Sequence, residues 1–538
     1  MNNKFIFITG GVLSSIGKGI TSACIANLLE SKGLKVAICK LDPYLNVDPG
    51  TMNPFEHGEV YVTDDGSETD LDLGHYNRFS NSPLSKASNT TSGQIFDTVI
   101  RKERRGEFLG KTVQVVPHIT DEIKSRIIAA SKQQPDIAVT IIEIGGTVGD
   151  IESGPFLEAI RQFRNEHPRD CINIHIVYIP FLISSGEIKT KPAQHSMQML
   201  REKGIFCDII LCRTEAELST DIKEKIALFC SVPKDGVFEV VDVKKSIYEV
   251  PINLKKEGLE AKISSLLHLE EKPSDTLKWE TMLHRLFHPI GSVNIAIVGK
   301  YLQHKDAYKS VFEALIHAGI AHQCEVKIEC IESDKIESLQ HFEKLVSGCD
   351  GILVPGGFGE RGVEGKILAA QYAREHNIPY FGICLGMQVM VIEYARNVLG
   401  LKEAHSTEMV KNAKDPVICL ISEQKHILDL GGTMRLGAYS CHLEPDSKSF
   451  EAYGKSQIFE RHRHRYEFNN EYKKALQEKG LKIAGFNQEN HLCEIVEVQS
   501  HPWMIGVQFH PEFLSKPTAS HPLFNSFIGK ALECKKKS

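Results

Sequence analysis

Short runs of β-branched and aromatic residues, separated by stretches of helical periodicity, recur at residues 5–9, 35–41, 137–144, 173–179, 208–212 and 237–243. No other feature of the chain restricts its fold as strongly. Most of these runs are apolar on both parities, which fits strands covered by helices on both faces and predicts an α/β fold with a mostly parallel sheet. The pattern restarts at Ser292, where Val293-Asn294-Ile295-Ala296-Ile297-Val298-Gly299-Lys300 repeats the strand-then-glycine opening, and continues through 325–331, 351–355 and 379–383. Two doubly wound parallel-sheet domains are therefore expected, at residues 1–268 and 292–538. The linker at 269–291 carries one amphipathic helix between Pro273 and Pro289.

Composition narrows the class. The 538 residues carry 69 acidic and 63 basic side chains, a net charge of −6, which argues against a polyanion binder. The 14 cysteines are scattered without a CxxC pair, so a reducing, cytoplasmic setting is expected. The longest uncharged apolar stretch, 171–186, contains His175 and Pro180 and is too short for a membrane span. The run 5–17 after Lys4 has some likeness to a secretion signal. Gly10-Gly11 and Gly17-Lys18-Gly19 break its apolar block and argue against one.

Directly after the first predicted strand stands Gly10-Gly11-Val12-Leu13-Ser14-Ser15-Ile16-Gly17-Lys18-Gly19, followed by a helical stretch at 20–32. Backbone N–H groups at a helix start and the Lys18 ammonium would converge there on phosphate oxygens. The run departs from a Walker A loop because its upstream glycine is one residue further away and Gly19 stands where a Ser or Thr usually holds magnesium. A magnesium ion would need other oxygens, and Asp72 and Glu143 offer them at loop or strand-end positions. Lys189-Thr190-Lys191-Pro192-Ala193-Gln194-His195 brings further cations to the carboxyl end of the sheet, where ligands of open α/β sheets bind.

In the second half, Gly382-Ile383-Cys384-Leu385-Gly386 is a nucleophile elbow with cysteine in place of serine, between an apolar strand and a helix. Gly506-Val507-Gln508-Phe509-His510-Pro511-Glu512 supplies a base and a carboxylate. Strand alternation is expected to place His510 and Glu512 on one face of an extended segment. Pro355-Gly356-Gly357-Phe358-Gly359 offers N–H groups for an oxyanion hole beside that of Leu385. Arg461-His462-Arg463-His464-Arg465-Tyr466 lacks companion cysteines or acids for zinc, and carboxylate capture by an arginine fits it better.

Taken together, these motifs closely resemble the CTP synthase family over nearly the whole length, and the second half resembles a class I glutamine amidotransferase domain. The resemblance is carried by the glycine run 10–19, Leu41-Asp42-Pro43-Tyr44-Leu45-Asn46-Val47-Asp48, His57-Gly58-Glu59-Val60, Glu143-Ile144-Gly145-Gly146-Thr147-Val148-Gly149-Asp150-Ile151-Glu152, Lys189-Thr190-Lys191-Pro192 and Phe381-Gly382-Ile383-Cys384-Leu385-Gly386-Met387-Gln388. It implies ATP at Ser15, Ile16, Gly17, Lys18, Gly19 and Ile20, with Val241, Asp242 and Val243 near the adenine and Asp72 and Glu143 on Mg²⁺. It implies UTP, and the inhibitor CTP at an overlapping site, at Ser14, Asp150, Ile151, Glu152, Lys189, Thr190, Lys191, Pro192, Ala193, Gln194 and Lys225. Glutamine would meet Gly357, Leu385, Gly386, Met387, Gln388, Glu408 and Arg465 around a Cys384, His510 and Glu512 triad. GTP is implied as activator, with Arg361 and Glu364 as candidates, and a homotetramer as the assembly. Glu360 stands where the family has an aromatic and Ala193 where it has a threonine, departures that bear on effectors and not on the reaction.

The activity so implied is glutamine-dependent amination of UTP to CTP, through UTP phosphorylated at O4 and a thioester on Cys384. A sealed passage would carry the ammonia. Two rivals are a glutamine-dependent ligase for another acceptor, such as a cobyrinate-type amidase, and a non-catalytic nucleotide-binding regulator. The second expects a missing Cys, His or phosphate lysine, and all three residues are present.

Overall fold

The computed structural model describes residues 3–52, 57–300, 302–420 and 433–536, and the chain divides into two compact units. Unit 1 comprises residues 1–48 and 72–280; unit 2 comprises 49–71 and 281–538. The sheet of unit 1 has seven strands: β1 (Lys4–Gly10), β2 (Val36–Asp42), β3 (Asn89–Thr91), β4 (Val139–Ile144), β5 (Cys171–Ile179), β6 (Ile209–Thr214) and β7 (Val237–Val241). Their order is β7-β6-β5-β1-β4-β2-β3, with every pairing parallel. From β1 the chain first passes to one side, where β4 lies between β1 and β2, and after β4 it crosses to the other, where β5, β6 and β7 follow in order, so the loop after β1 lies at the switch point where such sheets bind ligands. One apolar cluster gathers Phe5, Phe7, Leu41 and Ile142 and another gathers Val177, Ile179, Ile210 and Cys212, each with helix residues. Burial on both faces is what the doubly apolar runs required.

The sheet of unit 2 has nine strands: β8 (Gly291–Gly299), β9 (Cys324–Glu332), β10 (Gly351–Val354), β11 (Tyr380–Ile383), β12 (Arg435–Leu443), β13 (Gln457–His464), β14 (Leu481–Phe486), β15 (Cys493–Val498) and β16 (Met504–Val507). The order is β9-β8-β10-β11-β16-β15-β14-β12-β13, parallel from β9 to β16 and antiparallel beyond. Alternation along β8 sends Ala296 and Val298 into one buried cluster and Val293, Ile295 and Ile297 into the other.

The division differs from the expected boundaries in one respect beyond a few residues at the linker, whose helix is present at Leu277–Phe287. Residues 49–71 group with unit 2 by their contacts. The cause is a set of contacts across hundreds of residues of sequence. A short hairpin pairs Tyr61–Val62 with Glu68–Thr69. Arg461 donates to Asp64 at 2.6 Å, Arg463 to Glu68 at 2.8 Å, and Tyr61 to the Phe513 carbonyl at 3.1 Å. Glu59 accepts from the Ser310 backbone N–H at 2.9 Å, satisfying an orphan donor at the start of helix Lys309–His322. No helix among the described residues is long and apolar enough to cross a membrane, and all 14 cysteines are free thiols.

Candidate functional site

In unit 1 the glycine run is a wide turn. Val12, Ser15 and Gly17 take positive φ values of 80°, 57° and 95°, and helix Lys18–Ser31 starts two residues earlier than its periodicity indicated. Lys18 is thereby the first helical residue and is buried, its Nζ donating to the Gly146 carbonyl at 2.7 Å. Gly11 and Gly19 are required by close approach. A Cβ on Gly11 would lie 1.5 Å from Ser196 Oγ, and one on Gly19 would lie 2.2 Å from Asp72 Oδ1. Ser14 is exposed in the turn, Ile16 is buried within it, and Ile20 lies in the first turn of the helix.

Asp72 and Glu143 do meet there. Glu143 is the register partner of Lys40 on β2, so both side chains stand on one sheet face, and Lys40 reaches Asp72 at the start of helix Asp72–Phe79. Burial first, then the Asp72 charge, pushes the Glu143 pKa up to about 8. Burial would raise Asp72 as well, but Lys40 foremost holds it below the usual carboxylate range. Lys18 is lowered by burial, against the pull of Glu143. A buried Glu143 and a half-buried Asp72, whose charges oppose each other, suit a hard dication, so the donor set fits magnesium. Among the described residues no group of three or more His, Cys, Asp or Glu forms a complete cage, and such an ion would draw its remaining ligands from phosphate oxygens and water.

Val241 ends β7 and lines a cavity of about 360 Å³ with Glu217, Val240, Asn253 and Leu254. Asp242 and Val243 follow it. Arg213 ties this edge to the glycine turn, donating to Asp242 at 2.9 Å and to the Ser15 carbonyl at 3.0 Å. Lys191, Pro192, Ala193 and Gln194 form the first turn of helix Lys191–Glu202 behind Thr190, to which Gln194 donates at 3.1 Å; Ala193 is buried. Lys189 is paired with Glu187, and the exposed Lys225 adds to the lowering of that carboxyl after Lys189. Asp150 accepts from Thr147 Oγ1 at 2.9 Å, and its neighbours Ile151 and Glu152 are exposed.

In unit 2, Cys384 sits between β11 and helix Leu385–Tyr394 with φ 53° and ψ −104°, the strained conformation of a nucleophile elbow. Its N–H bonds the Val507 carbonyl at 2.7 Å. The flanking glycines are obligatory, since a Cβ on Gly386 would lie 2.0 Å from the Val354 carbonyl oxygen and one on Gly382 would lie 2.6 Å from Gly386. Gln508 Nε2 lies 3.6 Å from the Cys384 sulfur. His510 Nδ1 is 2.8 Å from Glu512, and the His510 backbone N–H donates to the Arg461 carbonyl at 2.7 Å. Burial opposes protonation of His510, yet Glu512 and the Cys384 sulfur outweigh it and raise the imidazole pKa to about 10.

The route to that pair is not the extended segment expected. β16 ends at Val507, and residues Pro511–Leu514 form a single 3₁₀ turn that folds Glu512 back onto the ring. Pro511 cannot donate to a strand ladder and is preset for a helical start.

Around the sulfur, Gly356, Gly357, Phe358, Arg463, Glu59 and Val60 line one pocket with Cys384, His510 and Glu512. Glu408 accepts from the Gly359 N–H at 2.7 Å, and burial raises its carboxyl pKa. Gln388 donates to the Tyr466 carbonyl at 2.9 Å, while Leu385, Gly386 and Met387 are buried in the first turn after the elbow. Arg465 donates to Thr433 at 2.8 Å. The arginine–histidine run is divided by its strand. Arg461 and Arg463 capture Asp64 and Glu68, whereas His462 and His464 are buried beside Arg435, Glu467 and Glu494. Arg361 pairs with Asp334 at 3.1 Å, and Glu364 with Arg396 at 2.9 Å. Hydrogen bonding to His405, then to Arg396 against burial, brings the Glu364 pKa to about 2.

Sequence reasoning gave no site role to Lys40, Arg213, Lys300 or Lys366, and of the segment 49–71 it used only His57-Gly58-Glu59-Val60, as a family motif. Lys40 within an apolar strand and Lys366 on the apolar stripe of a helix were visible irregularities; the contacts of 49–71 had no local signal.

Residues 4–269 match the family model described as "CTP synthase N-terminus", and residues 303–530 match "Glutamine amidotransferase class-I". The chain is similar to a CTP synthase of Protochlamydia amoebophila, 60% identical over 98% of each chain. It is 59% identical to that of Chlamydia abortus, over 99% of this chain and 98% of the other. A solved structure, the glutaminase domain of Trypanosoma brucei CTPS with bound acivicin, aligns with a TM-score of 0.42 and 42% identity, over 45% of this chain and 94% of that chain.

Proposed function

The chain belongs to the CTP synthase family, and we propose that unit 1 makes the uracil oxygen of UTP a leaving group while Cys384 of unit 2 releases the nitrogen that replaces it. The overall reaction is ATP-dependent amination of UTP to CTP with glutamine as donor. The observation that carries the assignment is the His510 ring held between Glu512 and the Cys384 sulfur, beside a glycine loop with N–H groups to spare.

In unit 2 the Cys384 sulfur attacks the side-chain carbonyl carbon of glutamine, and the oxygen takes up the negative charge opposite the N–H groups of Gly357 and Leu385. His510 gives its proton to the departing ammonia. It then takes one from the water that cleaves the thioester, releasing glutamate and restoring the thiol. Glu408, Gln388 and Arg465 orient the amino acid. In unit 1 the turn Ser15–Ile20 and Lys18 hold ATP phosphates, and the O4 oxygen of UTP takes the γ-phosphoryl group. Ammonia adds at C4, and the C4–O4 bond breaks to expel phosphate. Asp72 and Glu143 would hold a magnesium ion accompanying ATP, whose charge offsets that of the phosphates.

The cavity at Val241 suits an adenine, with Asp242 and Val243 beside it. Lys189, Thr190, Lys191, Pro192, Ala193, Gln194 and Lys225, with Ser14, Asp150, Ile151 and Glu152, are assigned to UTP and to inhibitory CTP. GTP acts as activator, and the protein works as a cytoplasmic homotetramer. Ammonia is passed on without equilibrating with solvent.

Purified protein supplied with UTP, ATP and Mg²⁺ is expected to form CTP with either glutamine or ammonium. Cys384→Ala abolishes the glutamine-supported reaction and leaves the ammonium-supported one. Loss of both in that variant refutes the separation of sites, and absence of CTP from the wild type with ammonium refutes the whole assignment.

A further inference from the structure

Lys366 lies in the first turn of helix Val363–His376 and is completely buried, on the same helix face as the buried Val363, Ile367 and Ala370. The position is hostile to a cation, because it adds desolvation to the positive end of the helix dipole. Among the described residues no carboxylate stands within ion-pair distance of it. The ammonium instead donates to main-chain carbonyls of the glycine loop, Pro355 at 2.8 Å and Gly356 at 3.5 Å. Tyr308 donates to the same Gly356 carbonyl at 3.2 Å.

That carbonyl and the N–H of Gly357 belong to one trans peptide and point in opposite directions. Fixing the oxygen therefore fixes the N–H. Among the described residues the Gly357 N–H donates to no protein acceptor. The loop abuts the nucleophile, since a Cβ on Gly356 would lie 3.6 Å from Cys384 Cβ and 3.1 Å from His510 Cε1.

We propose that Lys366 is a positioning residue of the glutaminase half-reaction, holding the Pro355 and Gly356 carbonyls so that the Gly357 N–H is preset for the oxyanion formed when Cys384 attacks glutamine. The inference rests on the assignment of Cys384 as nucleophile. Burial and the nearby Lys300 lower the Lys366 pKa, while attraction to the Cys384 sulfur opposes that shift.

The test is steady-state glutamine hydrolysis by full-length Lys366→Met, with kcat and KM resolved, alongside CTP formation from ammonium. The expected result is a kcat for hydrolysis lowered roughly 10- to 100-fold, with KM and ammonium-supported synthesis changed by less than about threefold. Lys366→Arg, which keeps the cation, is expected to recover part of the lost kcat. An unchanged kcat, a loss confined to KM, or a parallel loss of ammonium-supported synthesis overturns the proposal. If Lys366→Met does not fold, Tyr308→Phe removes the other donor to the Gly356 carbonyl. A fall in kcat of about threefold or more at constant KM then supports the proposal, and an unchanged kcat overturns it. Hydrolysis that persists in Cys384→Ala would instead fault the nucleophile assignment.

Discussion

The two units each place a strand, a glycine-bearing turn and a helix at the centre of the site, and the turns are built in opposite ways. After β1 the chain takes seven residues, Gly11 to Gly17, to reach its helix, and three of them have positive φ. After β11 it takes one residue, Cys384. The wide turn leaves charge unresolved, with Glu143 raised to about 8 by burial and then by the Asp72 charge, and with Lys18 and Lys40 beside them. The tight turn is completed by protein, with Glu512 on His510 and the loop carbonyls on Lys366. A site for a polyanion and its counter-ion stays electrostatically incomplete until they arrive, whereas a covalent nucleophile needs its partners set beforehand.

The sharpest way to break this comparison is Lys18→Met. If the wide turn acts by charge, CTP formation falls about 1,000-fold with glutamine and with ammonium alike, while glutamine hydrolysis persists. A loss confined to the glutamine-supported reaction would reverse the roles of the two turns.

Next in size is Glu512→Gln, expected to lower kcat for glutamine hydrolysis about 100-fold. Glu512 is the largest influence holding the His510 proton against burial. Its removal lowers the imidazole pKa, so the proton is lost at lower pH and the alkaline limb of the hydrolysis profile moves toward neutrality. A pH–rate profile that keeps its alkaline limb would show that Glu512 does not hold the ring's charge.

The smallest effects compare the turns as backbone. Gly386→Ala forces a Cβ to within 2.0 Å of the Val354 carbonyl oxygen, and overpacking of this kind costs about 3 kcal/mol. Gly17→Ala meets nothing closer than 3.7 Å and bears only the strain of φ 95°, about 1 kcal/mol. Denaturant unfolding of the two variants checks the order, and equal losses would mean that neither turn is tighter than the other.

Much of both sites could be read locally. The strand–glycine–helix sequences located Lys18 and Cys384 because a turn that must reach a phosphate or raise a sulfur leaves glycines at fixed offsets. The pairing of His510 with Glu512 was legible as a pair and misread as geometry, since Pro511 makes a turn where alternation pointed to a strand. The antiparallel half of the second sheet, β15-β14-β12-β13, gave little signal in the sequence. Parts of it carry charge or histidine at successive positions, as in Glu460-Arg461-His462-Arg463-His464, with the strand's two faces meeting different partners.

Contiguous residues were enough to specify two α/β sheets, the glycine turn, the elbow and the family, because each is written in neighbouring positions whose spacing follows from backbone periodicity. Tertiary structure alone decided that residues 49–71 join unit 2, that Lys40 stands beside Glu143, and that Lys366 lies under the glycine loop. Those facts depend on charges and carbonyls brought together from distant parts of the chain. Such pairings leave no periodic trace, since what selects them is the cost of burying an unpaired polar group in the folded molecule.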